Sequence, residues 1–342
     1  MQKAGDPETI AVIRLSSLGD IIHTLPALQL IRQKYPAARI SWIVEAAGAG
    51  LLENFAGIDD IIVLNLKNGC LFNKVKALKK FVRDYRGKFD LIIDFQGLLK
   101  SAFLSYLLKG HSIGFGKRNL KEPLSRFFYT ERAGFFDENR HVIYKNMHLL
   151  SLLNIQNGRI HYPLNPLQMP KTLEGFMKEH RLEEGKFIVV NVGGGWQSKI
   201  LAESQYIDII KPLRDKHKIV ILWGNEREKV TAQKVAQATA AVISKFLEFD
   251  ELIALIRQAS LVITADTLAL HIADMVCTPS VGIFGPTLPE RNGSLLKQSR
   301  AVFERMPCSF CYKKKCDTIS CMKSININKI VTSAESIYEK YN

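Results

Sequence analysis

The sequence contains no run of about 18 uninterrupted apolar residues, the length a helix needs to cross a bilayer, so no membrane-spanning segment is expected. Its opening residues, MQKAGDPETI, hold no apolar stretch of the kind a secretory signal carries, and a cytoplasmic location is expected. The phosphate-cradling pattern G-x-x-x-x-G-K-S/T is missing, which excludes a P-loop. Nowhere do two aspartates stand one residue apart, so a D-x-D pair clamping a nucleotide diphosphate through a metal is not expected. Low-complexity tracts and short-period repeats are also missing, which leaves an ordinary globular chain.

What is present fits that class. The chain has 342 residues, 47% hydrophobic and 23% charged, more than one hydrophobic core usually takes. Its net charge of +14 suggests a polyanionic partner: nucleic acid, an anionic membrane face or a phosphorylated substrate. Residues 1–165 carry 23 Lys and Arg against 14 Asp and Glu, and residues 166–342 carry 24 against 19, so the first half holds most of the excess. Eight basic residues (Lys67, Lys74, Lys76, Lys79, Lys80, Arg83, Arg86 and Lys88) cluster there around the single acid Asp84. Val75, Leu78, Val82 and Tyr85 form an apolar stripe opposite them, so a helix docked by one face and basic on the other is expected. By itself such a run also reads as a solvated helix face.

Short β-branched runs alternate with helical patterns. Strands are expected at 10–15, 40–44, 61–64, 91–95 and 112–115, with helices near 20–34, 48–56, 72–86 and 98–109. Three prolines in YPLNPLQMP, Pro163 to Pro170, mark a linker. Alternation then restarts, with strands at 187–192, 219–223, 241–244, 261–264 and 280–284 and helices near 203–215, 226–239, 250–258 and 268–275. A last helix near 328–341 has no following strand. This is an α/β pattern of two doubly wound halves with parallel strands, whose ligands bind beyond the carboxyl ends of the strands. A cleft between two such domains is the expected place for a small-molecule site.

Four strand-end segments stand out. In RLSSLGDIIHTLPALQLIRQ (14–33), Ser16, Ser17 and Gly19 form a tight turn at a helix start, suited to an anion. Asp20 stands at that junction, either as a first-turn acid complementing the helix dipole or as a chemical group. In NVGGGWQSKILAESQY (191–206) the glycines, Gly194 and Gly195 among them, let a ligand approach the backbone, and Lys199 precedes the next helix, placed for a phosphate. In WGNERE (223–228), Glu226 suits a ribose hydroxyl or a helix first turn. In TADTLALHIADMVCTPSVGIFGPTLPE (264–290), Asp266 and Thr267 begin a helix, and His271 lies four residues further on the same face. The Gly285–Thr287 turn aims at the same edge.

GAGLLE (48–53) half resembles a dinucleotide fingerprint, but its third glycine is Glu53. Cys308, Cys311, Cys316 and Cys321 form C-x2-C-x4-C-x4-C beside Lys313–Lys315. Four cysteines at this density could hold a structural zinc or an iron–sulfur cluster, although gaps of four are unusual. Cys70 and Cys277 read as ordinary buried thiols.

SSLGDIIHTLPAL (16–28) resembles the N-terminal signature of glycosyltransferase family 9, the bacterial heptosyltransferases. FDLIIDFQGLLKSA (89–102), KEPLSRFFYT (121–130), Lys199 with its following helix, WGNERE, ADTLALH (265–271) and FGPTLPE (284–290) are similar to family segments in the same order. The first two segments are most like the type I enzymes. The resemblance implies a GT-B fold, with an acceptor-binding Rossmann-like domain over 1–165 and an ADP-sugar donor domain over 166–326. The helix at 327–342 would dock back on the first domain.

It also implies an inverting, metal-independent enzyme that needs no cofactor. That enzyme transfers L-glycero-D-manno-heptose from ADP-heptose to Kdo-lipid A, working as a monomer at the anionic inner-membrane surface without nucleic acid. By the same resemblance Asp20 is the general base. Ser17, Gly19, Gly194, Gly195, Lys199, Glu226 (or Glu228 in another register), Leu247, Asp266, Thr267 and His271 serve the donor. Lys74, Lys76, Lys79 and Lys121 serve the acceptor. The sequence departs from the family where Leu268 replaces a motif glycine, where Gly194 and Gly195 replace threonines, and where Ile200-Leu201-Ala202 follows Lys199. Rivals are heptosyltransferase II or another sugar transferase of the family, a nucleotide-sugar epimerase or oxidoreductase, and a basic lipopolysaccharide-binding protein.

Overall fold

The structure, a computed structural model, describes residues 5–65, 71–156 and 158–341; Lys67 and Cys70 lie outside the described residues. The chain divides into two compact units, Met1–Pro166 and Leu167–Asn342. The first contains β1 (Thr9–Ile13), α1 (Leu18–Ile22), α2 (Leu25–Lys34), β2 (Arg39–Val44), α3 (Ala46–Leu52), β3 (Asp60–Val63) and α4 (Leu71–Tyr85). It continues with β4 (Leu91–Asp94), α5 (Leu99–Leu108), β5 (His111–Gly114), β6 (Glu131–Arg132) and α6 (Val142–Leu149). Its sheet runs β3-β2-β1-β4-β5-β6 with every pair parallel.

The second unit opens with α7 (Lys171–Glu179), β7 (Phe187–Asn191), α8 (Glu203–Arg214), β8 (Lys218–Leu222), α9 (Glu226–Thr239), β9 (Val242–Ile243) and α10 (Phe249–Gln258). There follow β10 (Leu261–Ala265), α11 (Leu268–Met275), β11 (Ser280–Ile283), α12 (Pro289–Asn292), β12 (Arg300–Val302), α13 (Ser320–Lys323) and α14 (Ile327–Tyr341). Its sheet, β12-β11-β10-β7-β8-β9, is again all parallel. Both sheets have the same topology, and strand order reverses between β1 and β4 in one and between β7 and β10 in the other. Central strands such as β1 and β7 are buried on both faces, which is why they read as continuous apolar runs rather than alternating ones.

Two features differ from expectation. The helix expected at 20–34 is broken at His23–Thr24, because Pro26 brings no N–H to continue the ladder. Asn146 of α6 fills the break, donating to His23 O at 2.9 Å and to Thr24 Oγ1 at 3.2 Å. The edge strands β6 and β12 are too short to carry a hydrophobic pattern. The final helix packs into the core of its own unit. Ile330, Ala334 and Ile337, spaced on one helical face, join the second unit's core. Lys216 pairs with Glu335 at 2.9 Å, and the His217 and Tyr338 rings meet at 4.0 Å.

Helix α4 docks as its stripe suggests, with Phe81 buried and Leu78, Val82 and Tyr85 packed beside it, while Val75 stays exposed. Among the described residues no helix is long and apolar enough to cross a membrane.

Candidate active site

The second unit's switch point gathers most of the candidate donor residues. β7 ends at Asn191, paired in register with Thr264 of β10. The Asn191 carboxamide reaches Thr264 Oγ1 and Thr267 Oγ1, both at 3.0 Å, and its oxygen accepts from Gly193 N at 3.2 Å. One side chain thus ties the glycine turn to the head of α11. Glu228 adds a second tie. Its carboxylate accepts from Gly194 N at 3.1 Å and from Gly224 N at 2.7 Å, bridging the turns after β7 and β8. Gly193 is the glycine this packing requires, because a Cβ there would stand 2.3 Å from Glu228 Oε2; at Gly195 a Cβ would meet nothing within 4 Å.

Lys199 ends a 3-10 turn, Gln197–Lys199, and reaches across to Asp266. Its Nζ donates to Asp266 Oδ2 at 2.8 Å and to Asp266 O at 2.9 Å. His271, one turn into α11, places Nε2 3.2 Å from Asp266 Oδ1. The Asp266 side chain is 2% exposed and that of Lys199 12%. Burial alone would raise the Asp266 pKa, but the hydrogen bond from His271 and the Lys199 charge outweigh it and hold the carboxyl far below the usual range. Thr267 directly precedes α11, its hydroxyl turned to Asn191 and Thr264 rather than capping the helix, and the first N–H groups of α11 bring partial positive charge to the same strand edge. Leu268, in place of a glycine, is half-buried as the helix's first residue. The Gly285–Thr287 turn is covered: Gly285 O accepts from Phe310 N at 3.1 Å and Pro286 O from Tyr312 N at 2.8 Å.

The first unit's switch point carries Asp20. Its Oδ1 lies 2.8 Å from Arg14 Nη2, and its Oδ2 accepts from Ser17 N at 3.1 Å and Ser17 Oγ at 2.9 Å. The carboxylate therefore does serve its helix start, with its orientation fixed and its charge compensated by an arginine. About a third of the side chain, 35%, remains exposed. The turn is braced from just past the end of β4, where Gln96 Oε1 accepts from Leu15 N at 3.0 Å and Ser16 N at 3.1 Å. Asp94 anchors that brace, accepting from Gln96 N at 2.8 Å and the Tyr129 hydroxyl at 2.7 Å. Burial pushes the Asp94 carboxyl up against the lowering effect of these bonds.

Other candidates lie apart from these groups. Glu226 is 83% exposed and faces Lys229 at 3.6 Å, so the acid drawn onto the strand ends is Glu228. Leu247 is half-buried in the loop between β9 and α10. Lys74, Lys76 and Lys79 lie on α4, and Lys121 is exposed beside Glu122, which accepts from Leu99 N at 2.5 Å. The metal reading of the cysteines gains no support: among the described residues no group of three or more His, Cys, Asp or Glu is gathered as a metal ion would need. Cys308 and Cys311 are exposed and Cys316 is half-buried, whereas Cys321 is packed in the core against Gly285. Cys277 is exposed rather than buried. No local motif marks Asn191 or Arg14, since a strand-end amide or arginine takes its role from contacts with distant segments.

The Asp266 geometry has a pH consequence. A carboxyl whose folded pKa is depressed adds stability above its unfolded value, about 3.9, and loses it as pH falls toward the folded value. In urea unfolding, wild type is expected to exceed Asp266→Asn by a constant margin between neutral pH and about 5, shrinking below about 4. A margin independent of pH down to the acid limit would contradict the ion-paired assignment.

Comparison with known proteins gives the site its context. The family model of glycosyltransferase family 9 (heptosyltransferase) matches residues 76–321. Lipopolysaccharide heptosyltransferase 1 of Campylobacter coli is 29% identical over 307 residues, spanning 83% of this chain and 85% of its own. The solved structure of the E. coli heptosyltransferase WaaC with ADP superposes with a TM-score of 0.74 at 22% identity, over 96% of this chain and 99% of that one. The structure of E. coli ADP-heptose lps heptosyltransferase II superposes with a TM-score of 0.75 at 15% identity, over 97% and 99%. The two parallel-sheet units are thus of the GT-B type that these structures share. With the family model matching well over half its length, the chain belongs to glycosyltransferase family 9, the heptosyltransferases.

Proposed function

We propose that this protein transfers L-glycero-D-manno-heptose from ADP-heptose to the Kdo of Kdo-lipid A in lipopolysaccharide inner-core synthesis, with inversion and without a catalytic metal. The observation that carries the reading is the buried Lys199–Asp266–His271 group at the head of α11, beside a glycine turn, in a chain of this family. It is supported by a relative named lipopolysaccharide heptosyltransferase 1 and by a structural neighbour solved with ADP.

In this mechanism a Kdo hydroxyl oxygen attacks C1 of the heptose from the face opposite the diphosphate. The C1–O bond to ADP breaks and its electron pair leaves with the diphosphate. The hydroxyl proton passes to the Asp20 carboxylate, which Arg14 and Ser17 hold in one orientation. Lys199, the α11 N-terminus and the N–H groups of the glycine turn stabilise the departing charge. Asp266, nearly fully buried, acts through Lys199 by fixing its ammonium. Glu228 rather than Glu226 meets the donor ribose, since its carboxylate is the one held at the strand ends.

We infer further that the first unit rests on an anionic bilayer. Phe103 and Tyr106 of α5 are exposed, their rings 5.5 and 5.8 Å from Phe128, and the exposed Leu124 and Phe127 lie in the turn Pro123–Phe128. A shallow groove beside them, floored by Val75, Val82 and Phe103, is rimmed by Lys79, Arg83 and Arg86. Apolar rings among cations match an anionic headgroup layer.

Asp20→Ala is expected to lower turnover by about 10²–10⁴-fold, while ADP, but not UDP, still raises its Tm as it does for wild type. Near-normal turnover in the folded variant would sink the base assignment, and stabilisation by UDP over ADP would sink the donor. For the membrane surface, a Leu124→Glu, Phe127→Glu double variant should lose several-fold in co-sedimentation with phosphatidylglycerol vesicles. Unchanged binding, or equal binding of wild type to neutral vesicles, would overturn it.

A further inference from the structure

The cysteine-marked segment is firmly attached to the turns of the proposed donor site. Ser198 Oγ donates to Lys313 O at 2.6 Å and Ser198 N to Lys314 O at 3.4 Å. Phe310 N and Tyr312 N bond the carbonyls of Gly285 and Pro286. Residues 306–319 thus form a strap stitched both to the turn after β7 that carries Lys199 and to the turn after β11.

The strap brings Lys314 to the Trp196 indole, its Nζ 5.6 Å from the ring centroid, while Lys199 Nζ lies 4.3 Å from the same centroid. The two ammonium groups are therefore no further apart than those two distances combined. They differ in how they are compensated. Lys199 is ion-paired with Asp266, so much of its charge is already spent. Lys314 is exposed and, among the described residues, no carboxylate lies within ion-pair distance of it. A nucleoside diphosphate carries more than one negative charge, and one neutralised lysine with a helix end is a weak match for it. A second cation held on the same ring supplies what is missing. The indole face tolerates both ammonium groups, and an anion near them relieves their mutual repulsion.

We propose that Lys314 is the second cation of the donor site, binding the diphosphate together with Lys199, and that the 306–319 strap exists in this chain to carry it there. The inference rests on the ADP-sugar reading of this site and adds a contact to it. Lys313 and Lys315, its neighbours on the strap, have no such seat on the ring.

Calorimetric titration of ADP and AMP at fixed ionic strength into wild type, Lys314→Ala, Lys314→Arg and Lys315→Ala tests it. Loss of a charge-assisted contact should weaken ADP binding to Lys314→Ala by about ten- to a hundredfold, with a much smaller change for AMP. Lys314→Arg should retain most of the affinity, and Lys315→Ala should bind ADP as wild type does. Unaltered ADP affinity in Lys314→Ala would overturn the proposal, as would an equal loss of ADP and AMP, which marks a displaced strap rather than a lost charge. Failure of wild type itself to bind ADP would overturn the donor reading, so the two failures are read from different titrations.

Discussion

The Asp266 carboxylate is the constraint on which the second unit's switch point depends. A charge buried to this degree is tolerated only when it is paired and hydrogen-bonded on all sides. Lys199 supplies one partner from the turn after β7 and His271 another from α11. Satisfying that single charge therefore joins the glycine turn, the end of β10 and the first turns of α11. Removing one partner of such a pair leaves an uncompensated buried charge, typically at a cost of about 3–5 kcal/mol, so the local chain has little freedom to open. The functional consequence is that the Lys199 ammonium is delivered on a largely buried stem, at a helix N-terminus, rather than on a mobile surface side chain.

The first unit solves the same problem with different groups. Arg14, at the end of β1, neutralises Asp20 as Lys199 neutralises Asp266, and Gln96 clips the β1 turn to β4. In both units the charged pair stands where strand order reverses, where backbone N–H groups and helix starts converge in any doubly wound sheet. The burial differs, and so does the chemistry available. The Asp266 side chain is 2% exposed, whereas Asp20 keeps about a third of its side chain open, as the proposed base requires.

Much of this is legible in the sequence because parallel central strands are buried on both faces and appear as apolar runs. Each run is followed by a turn whose small and charged residues are visible in the order of the chain. Asp20, Lys199, Asp266 and His271 are found that way. Glu228 is harder, because Glu226 and Glu228 both fall in the first turn of α9, and the inward carboxylate is the one that meets Gly194 N and Gly224 N in two separate turns. Asn191 and the pairing of Lys314 with Trp196 depend on contacts between segments far apart in sequence, which no local pattern records. The break between α1 and α2 is read too weakly because apolar periodicity continues through Pro26. The cysteine spacing gives no packing by itself: Cys321 is drawn into the core while Cys308 and Cys311 stay exposed. The last helix shows an apolar stripe but not its partner, and its own unit provides one.

The most direct test of the account is mass analysis of Kdo-lipid A after incubation with the protein and ADP-heptose, with released ADP measured in parallel. The account predicts one heptosyl residue added per acceptor, ADP released in equal amount, and no further addition to an acceptor that already carries that heptose. Transfer only to the heptosylated acceptor, or ADP release without transfer to either, would contradict it.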